Sequence, residues 1–553
     1  MTTEIANPSG SPRSPLVECV VVAAIVFAAY AITRPPAVAT LGRLYDDVVY
    51  LSVGKSIAEG HGYRSAQLVG TPVHVKFPPL LPAMYAVAWM AFGSLDAVAR
   101  TALWLNIVAT SLSAGILWWL ARRVLLVGRV LSALFVIAPI VTDRTMFYFT
   151  GATSEPWMLL GWATALALAH RLTRIAGAGQ RGAGTAVALG LVLALSTLAR
   201  SQSIAIACGI LLALAIGRID RRTIVTVVVA MAVPLVSWNV WHGAMMARGP
   251  LSPLPDQLGY TAWIPTSGVA AFARFAASMM RLSVPMYWSD TAMVLVGWTS
   301  PKTLAVASSI LLCGIIGSLM LWKRVPALTV SLIASGAVLA IWPYVQDRFL
   351  TPLLPVLGLA GAYAVDRALS RTPRWVRAAA TTACVLLTAA ILLQNGRMRR
   401  EAMRGGDRSP YARAMNQMVA WVQSSTLPDD HVMVGWGGVI YLRTGRPTAI
   451  PNPEEPTLGT SVLADADRFF ATRLVEDAVD DLIIWDQAPG REAEPLRALA
   501  GRCPGTMTEV DGDPKAVAAR GEIHFYRIHH DSPCLAALAK PTATFRSRST
   551  NAP

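Results

Sequence analysis

Along most of the chain, apolar residues come in long blocks, and charged residues gather in the short gaps between them. Segments 16–32, 182–198 and 223–241 are almost free of charge. Each approaches the roughly 20 apolar residues that cross a hydrocarbon core of ~30 Å. The same pattern predicts spanning helices over 97–120, 130–141, 154–170, 204–216, 304–322, 325–343, 350–365 and 378–393, which makes eleven crossings.

A twelfth apolar block, 79–92, opens on Pro78-Pro79, contains Pro82 and ends at Phe92-Gly93. Runs this short are more often interfacial or re-entrant than spanning. Charge supports that reading. With eleven crossings and the N-terminus inside, the cytoplasmic connections hold Arg122, Arg123, Arg129, Arg171, Arg174, Arg181, Arg218, Arg221 and Arg222. They also hold Lys323, Arg324, Arg367, Arg371, Arg374 and Arg377. Counting 79–92 as a span would move all of these outside, against the positive-inside bias.

The expected division is a cytoplasmic tail (1–15), a transmembrane domain (16–395) and an extracytoplasmic α/β domain (396–540), followed by a disordered tail (541–553). Loop 34–96, segments 143–153 and 242–302, and the turns at Arg200 and Gln346-Asp347-Arg348 then lie outside. Beyond residue 396 the chain turns charged and loop-rich, with helix-like stretches at 411–422 and 464–475 and strand-like ones at 431–436, 481–485 and 522–528.

Composition agrees. Apolar residues make up 54% of the 553 and charged ones 15%, against roughly 25% charged in a soluble domain. Mean hydropathy is +0.47. A soluble enzyme, a disordered tail and a fibrous protein are excluded. The net charge of +15 would suggest nucleic acid in a soluble protein. Here the arginines flank apolar runs and no basic stripe carries interleaved aromatics, so no nucleic-acid partner is expected. There is no CxxC and no HExxH, which leaves zinc without support. Cys503 and Cys534 fall in the outer domain, where either a disulfide or two free thiols would fit. The first apolar run has no obvious small-residue cleavage site and reads as a retained helix.

The first outer loop carries Tyr45-Asp46-Asp47-Val48-Val49-Tyr50, then Gly60-His61-Gly62-Tyr63, then Lys76-Phe77-Pro78-Pro79-Leu80. Paired acids at the outer end of a membrane helix suit a general base in a partly dry pocket. Alone, such a pair is as readily a helix cap. Gly54-Lys55-Ser56 imitates the end of a phosphate-binding loop, but Val49 stands where its leading glycine belongs.

Taken with Ser154-Glu155-Pro156 in the second outer loop and Arg348-Phe349-xx-Pro352-xx-Pro355, this set resembles the GT-C membrane glycosyltransferases. The likeness is to the protein mannosyltransferase and aminoarabinose-transferase-like superfamily and covers roughly residues 17–395. The resemblance implies a mainly α, polytopic fold and an outward-facing site. It also implies transfer of a sugar from a polyprenyl-phosphate donor to a hydroxyl of a lipid, glycan or protein, by inverting displacement. No particular cofactor is implied, and a divalent cation is left open.

Family position and charge together make Asp46 the expected base, Asp47 its hydrogen-bonding or metal-coordinating partner, and Glu155 the acid that orients the acceptor or shares a cation. Lys76, Arg200 and Arg348 are the expected clamp for the donor phosphate. In many relatives the lysine directly precedes the two prolines, whereas Phe77 intervenes here. Arg200 interrupts two apolar runs, where snorkelling to lipid headgroups is the plain alternative, and Asp347 is a local ion-pair candidate for Arg348. His61 and His74 read as satisfied by backbone groups, Tyr50 and Tyr63 as packing, and Trp263, Tyr287 and Trp288 as unassigned belt aromatics. The expected location is a bacterial plasma membrane. A transporter or flippase of a lipid-linked glycan is the alternative function, and a noncatalytic assembly subunit a third. A transporter would carry charges or broken helices near the midplane.

Overall fold

The structure is a computed structural model. It describes residues 15–37, 41–180, 182–251, 264–265, 268–405, 410–435, 437–449, 466–485, 499, 501–510 and 523–539. Trp263, most of the 1–15 tail and the 541–553 tail lie outside the described residues.

Ten of the eleven apolar blocks fold as continuous helices: α1 (Pro15–Thr33), α4 (Leu95–Trp119), α7 (Glu155–Gly177), α8 (Ala183–Ala199), α9 (Ser203–Ile216), α10 (Arg221–Arg248), α12 (Pro301–Leu321), α13 (Pro326–Ile341), α14 (Leu353–Ser370) and α15 (Arg374–Gly405). The eleventh is broken. A four-residue helix α5 (Arg129–Ser132) runs into a π turn and a 3₁₀ turn that holds Pro139, then bends by 56° into α6 (Asp143–Phe149). Proline removes a helical donor and clashes one turn back, which accounts for the break. Among the described residues, six helices are long and apolar enough to cross a membrane, or seven if the bent pair counts as one. The protein is a multi-pass membrane protein.

Two faces of the bundle are identified by contacts. On one, Arg122 and Arg129 meet Glu18, the Gly128 amide meets Asp366, and Arg324 meets Tyr363. On the other, Arg399 donates to the Thr33 carbonyl (3.1 Å), and the Asp143 amide donates to Asn395 (2.8 Å). The second is the face of the site.

The short block 79–92 forms α3 (Leu80–Phe92), which packs on α2 (Asp46–Ala58) at the site face rather than spanning. One expectation is corrected. Segment 242–302 is not simply a loop: α10 runs on to Arg248, and α11 (Val269–Val296) occupies its second half. Arg274, Arg281 and Asp290 interrupt the apolar run of α11 and hide it from a hydropathy reading. It adds no crossing, because both ends of the connection stay on the site face. The Val73 amide donates to the Pro250 carbonyl (2.8 Å), and Asn395 donates to the Leu295 carbonyl (3.2 Å).

Close packing between helices rests on small residues. A Cβ on Gly317 would collide with the Ala360 carbonyl, so only glycine lets α12 and α14 approach this closely.

The C-terminal unit is mixed α/β: α16 (Pro410–Ser425), β1 (Val432–Met433), α17 (Gly437–Thr444), β2 (Thr448–Ala449), α18 (Ala466–Glu476), β3 (Asp481–Trp485), β4 (Met507–Val510), β5 (Ile523–Ile528) and α19 (Pro533–Leu538). The sheet order is β2-β1-β3-β5-β4, with β1 parallel to β2 and β3, and β5 antiparallel to β3 and β4. Cys503 and Cys534 form a disulfide, with Cα atoms 5.6 Å apart. The unit docks on the site face, where the Tyr411 hydroxyl donates to the Leu41 carbonyl (2.9 Å) and the Thr448 amide to the Gln67 carbonyl (2.9 Å).

Candidate active site

Local structure explains why five charged side chains, from four segments distant in sequence, point inward. Asp46 and Asp47 form the first turn of α2, and Glu155 opens α7 with Pro156 beside it. Acids at these positions face the positive ends of their own helices. Arg200 closes α8, and Arg348 sits in a 3₁₀ turn, Asp347–Leu350, just before α14. Two helix starts thus present carboxylates to two turns that present guanidinium groups.

Arg348 joins the two acids. Its Nη1 lies 2.8 Å from Asp46 Oδ2, and its Nε lies 3.8 Å from Glu155 Oε1. Arg200 Nη1 donates to the same Glu155 oxygen (3.0 Å) and to Ser154 Oγ (2.6 Å), while its Nε donates to Gln202 (2.9 Å). The Phe349 ring lies against both guanidinium groups, with centroids 5.0 and 5.2 Å away. Tyr50 donates to Ser154 Oγ (3.3 Å) and packs on Phe77. Asp46, Glu155, Arg200 and Arg348 are each no more than 7% exposed.

Asp47 is buried as well, and it accepts from the amides of Val48 (2.8 Å) and Gly42 (3.0 Å). Burial pushes its carboxyl up to about 7, the two amides opposing and the neighbouring Asp46 adding to the rise. Asp47 therefore changes charge around neutral pH. Lys76 is buried over the rings of Tyr45 and Phe77, which places its ammonium beside the start of α2. Two guanidinium groups thus hold two carboxylates, beside a third whose pKa burial pushes up to about 7. A cleft of about 260 Å³, its open mouth included, is lined by Tyr50, Phe77, Pro78, Arg200, Ser201, Gln202 and Trp342.

Several expectations change. Arg348 does not pair with its neighbour Asp347, which instead binds Arg144 Nε (2.6 Å) and the Tyr148 hydroxyl. Arg200 does not snorkel; it is buried on Glu155. His74 bonds Ser65 Oγ (2.9 Å) and accepts from the Phe77 amide (3.1 Å). Burial and the nearby Lys76 push its pKa down to about 3, so it stays neutral. His61 is solvent-facing beside Glu59. Tyr63 packs as expected and donates to the Phe77 carbonyl (2.9 Å). Tyr287 donates to the Tyr344 carbonyl (3.5 Å), and Trp288 to Ser308 Oγ (2.9 Å).

Gln202 was not legible as a site residue, because nothing in its local sequence sets it apart, whereas Ser154 and Phe349 stand in the quoted motifs but carried no assigned role. Asn106 did carry a signal, as an amide inside a spanning segment. It donates to the carbonyls of Gly151 (2.5 Å) and Thr153 (3.1 Å) and accepts from Trp157 Nε1 (2.7 Å), which fixes the turn before Glu155. Among the described residues no group of three or more His, Cys, Asp or Glu side chains is placed to hold a metal ion.

No protein-family model matches the sequence, and no curated protein matches it. Solved structures match it in fold. One is the archaeal oligosaccharyltransferase AglB from Archaeoglobus fulgidus, in complex with an inhibitory peptide and a dolichol-phosphate. It is 13% identical with a TM-score of 0.55, and the match covers 94% of this chain and 75% of that one. Another is ArnT from Cupriavidus metallidurans bound to undecaprenyl phosphate. It is 14% identical with a TM-score of 0.52, covering 95% and 99%. The apo form of ArnT matches with a TM-score of 0.51. The shared feature is the polytopic GT-C fold, as the motifs of the first outer loop implied.

Proposed function

We propose that the chain is an integral membrane glycosyltransferase that moves a sugar from a polyprenyl-phosphate donor to an acceptor hydroxyl on the extracytoplasmic face. The observation that carries this reading is Arg348 held between Asp46 and Glu155, with Arg200, which lines the cleft, on the same carboxylate and all four buried. The lipid phosphates bound in both fold neighbours, dolichol-phosphate in AglB and undecaprenyl phosphate in ArnT, support it.

The chemistry follows from the charges. The donor's leaving group is a phosphate, which needs its growing charge held rather than a strong acid. Arg348, Arg200 and Lys76 supply that charge, and the donor draws the two guanidinium groups toward its phosphate oxygens. Arg348 moving toward the phosphate loosens its hold on Asp46, which then accepts the acceptor's proton. The acceptor oxygen bonds the anomeric carbon as the bond to the phosphate oxygen breaks, and the electron pair leaves with the polyprenyl phosphate. One displacement inverts the anomeric centre, so no enzyme nucleophile is required. Glu155 orients the acceptor, and Asp47 stores or releases a proton beside Asp46.

The arginine-rich connections share the face opposite the site, which under the positive-inside bias is the cytoplasmic one. On this reading the N-terminus is cytoplasmic and the C-terminal unit lies outside, with a bacterial plasma membrane as the proposed location. A reporter fused after Pro553 should be active outside the cell; a cytoplasmic signal would reverse the topology.

The test of function is Asp46→Asn in liposomes. Transfer from an undecaprenyl-phosphate-linked sugar should fall by about 10²- to 10⁴-fold. Binding of undecaprenyl phosphate should hold or tighten, because Arg348 loses a competing carboxylate. Near-normal turnover would remove Asp46 as the base, and equal binding of undecaprenol would remove the phosphate clamp.

A further inference from the structure

The C-terminal unit touches the helix that carries Asp46 and Asp47 at three levels. Ahead of the helix, the Tyr411 hydroxyl donates to the Leu41 carbonyl (2.9 Å), and the next residue, Gly42, donates its amide to Asp47 (3.0 Å). In the first turn, α17 presses against Val48. A Cβ built on Gly438 would lie 2.6 Å from Val48 Cγ2, closer than real Cβ atoms approach, and 3.0 Å from Val48 Cβ, so any side chain there must push Val48 aside. The Val48 amide in turn donates to Asp47 (2.8 Å).

One turn further on, Ser52 Oγ donates to Gln67 Oε1 (2.6 Å). The Gln67 carbonyl accepts from both the amide (2.9 Å) and the hydroxyl (2.6 Å) of Thr448, and the Val69 amide donates to the Thr448 carbonyl (3.2 Å). Loop residues 67–69 therefore extend the C-terminal sheet at its β2 edge. The Gly42 amide follows the Leu41 carbonyl that Tyr411 ties, and the Val48 amide belongs to the residue whose side chain Gly438 faces. Such a contact has no evident use if the unit only covers the cleft.

We propose that the C-terminal unit is a clamp on α2 that holds the Asp46–Asp47 pair in its working position, with Gly438 as the point of closest approach and Tyr411 and Thr448 as its ties. Gly438, Tyr411 and Thr448 are positioning residues; none touches the reacting atoms. The inference rests on the glycosyltransferase reading for its kinetic consequence, though not for its geometry. The titratable groups that face Asp47 are Asp46 on its own helix, Arg348 from the 3₁₀ turn, Tyr85 from α3 and Tyr411 from α16.

The experiment uses the full chain in liposomes with Gly438→Ala, Val48→Ala/Gly438→Ala and Tyr411→Phe. Displacing a base by a fraction of an ångström to an ångström lowers turnover by about 10- to 100-fold. Gly438→Ala should show that loss in kcat with the donor KM nearly unchanged, the mark of an interaction used in the transition state. Trimming Val48 in the double variant reopens the space and should restore most of the kcat. Tyr411→Phe frees the 41–42 turn, weakens the Gly42 donor, and should move the midpoint of the Asp47 titration upward. That titration is read from the infrared band of the protonated carboxyl, identified by its disappearance in Asp47→Asn.

The clamp is overturned if folded Gly438→Ala and Tyr411→Phe proteins keep wild-type kcat and an unmoved band, or if they lose only thermal stability. Should Gly438→Ala fail to fold, Tyr411→Phe, which removes a single hydroxyl, decides the question. If the wild-type protein shows no transfer while the band shift of Tyr411→Phe persists, the clamp stands and the transferase reading falls.

Discussion

The two faces of the bundle hold nearly the same ionic motif in different surroundings. On one face Glu18 meets Arg129 at 2.5 Å and Arg122 at 3.8 Å. On the other Glu155 meets Arg200 at 3.0 Å and Arg348 at 3.8 Å. The side chains of Glu18 and Arg129 are 21% and 68% exposed, whereas those of Glu155 and Arg200 are 1% and 8% exposed. Residue types and distances match; burial does not. An exposed pair is screened and contributes about 0–1 kcal/mol. A buried one gives up the hydration of every charge, and its retention is weak evidence of stabilisation. The contrast marks Glu18 as a surface tie at the arginine-rich face, and under the proposed function Glu155 belongs to a site kept for charge that arrives with a ligand.

The comparison is broken most directly at Arg348. Arg348→Ala leaves Asp46 and part of Glu155 buried without their shared cation, a loss of about 3–5 kcal/mol, so the thermal midpoint should drop sharply along with affinity for undecaprenyl phosphate. Unchanged stability and binding would show that burial is not what separates the two motifs.

A middle-sized effect is expected of Asp47. Its folded value, near 7, lies above the ordinary 3.8. As pH rises from about 4 to about 7 the unfolded chain has already released a proton that the folded chain still holds, so stability falls across that window and levels off above it. Asp47→Asn should remove this slope, measured as thermal midpoint against pH; a slope that survives assigns the titration elsewhere. The smallest effect belongs to Glu18→Gln, under about 1 kcal/mol. A loss matching that of Arg348→Ala would erase the distinction between the faces.

Much of the architecture could be read from local composition. Hydrocarbon-length apolar blocks stand out because each residue's preference for lipid is its own property, so all eleven segments were legible, and 79–92 could be set apart by its length and prolines. Strand 481–485 and helices near 411–422 and 464–475 were visible through the same local signals. Helix α11 was missed because Arg274, Arg281 and Asp290 hide an amphipathic helix from a hydropathy reading. The acids and bases of the site were visible one at a time, since a charge at a membrane face is conspicuous wherever it occurs.

By itself, then, the sequence determined which segments enter the membrane, which face the arginines favour and which side chains carry charge toward the other. The tertiary structure alone decided that Arg348 passes over its neighbour Asp347 to reach Asp46, about 300 residues away, and that Arg200 buries itself on Glu155. It also decided that Gly438 lies against Val48. Hydropathy and charge act on each residue separately and leave a mark in local sequence. Pairing depends on the route of the whole chain through the bundle, and no local pattern records that route.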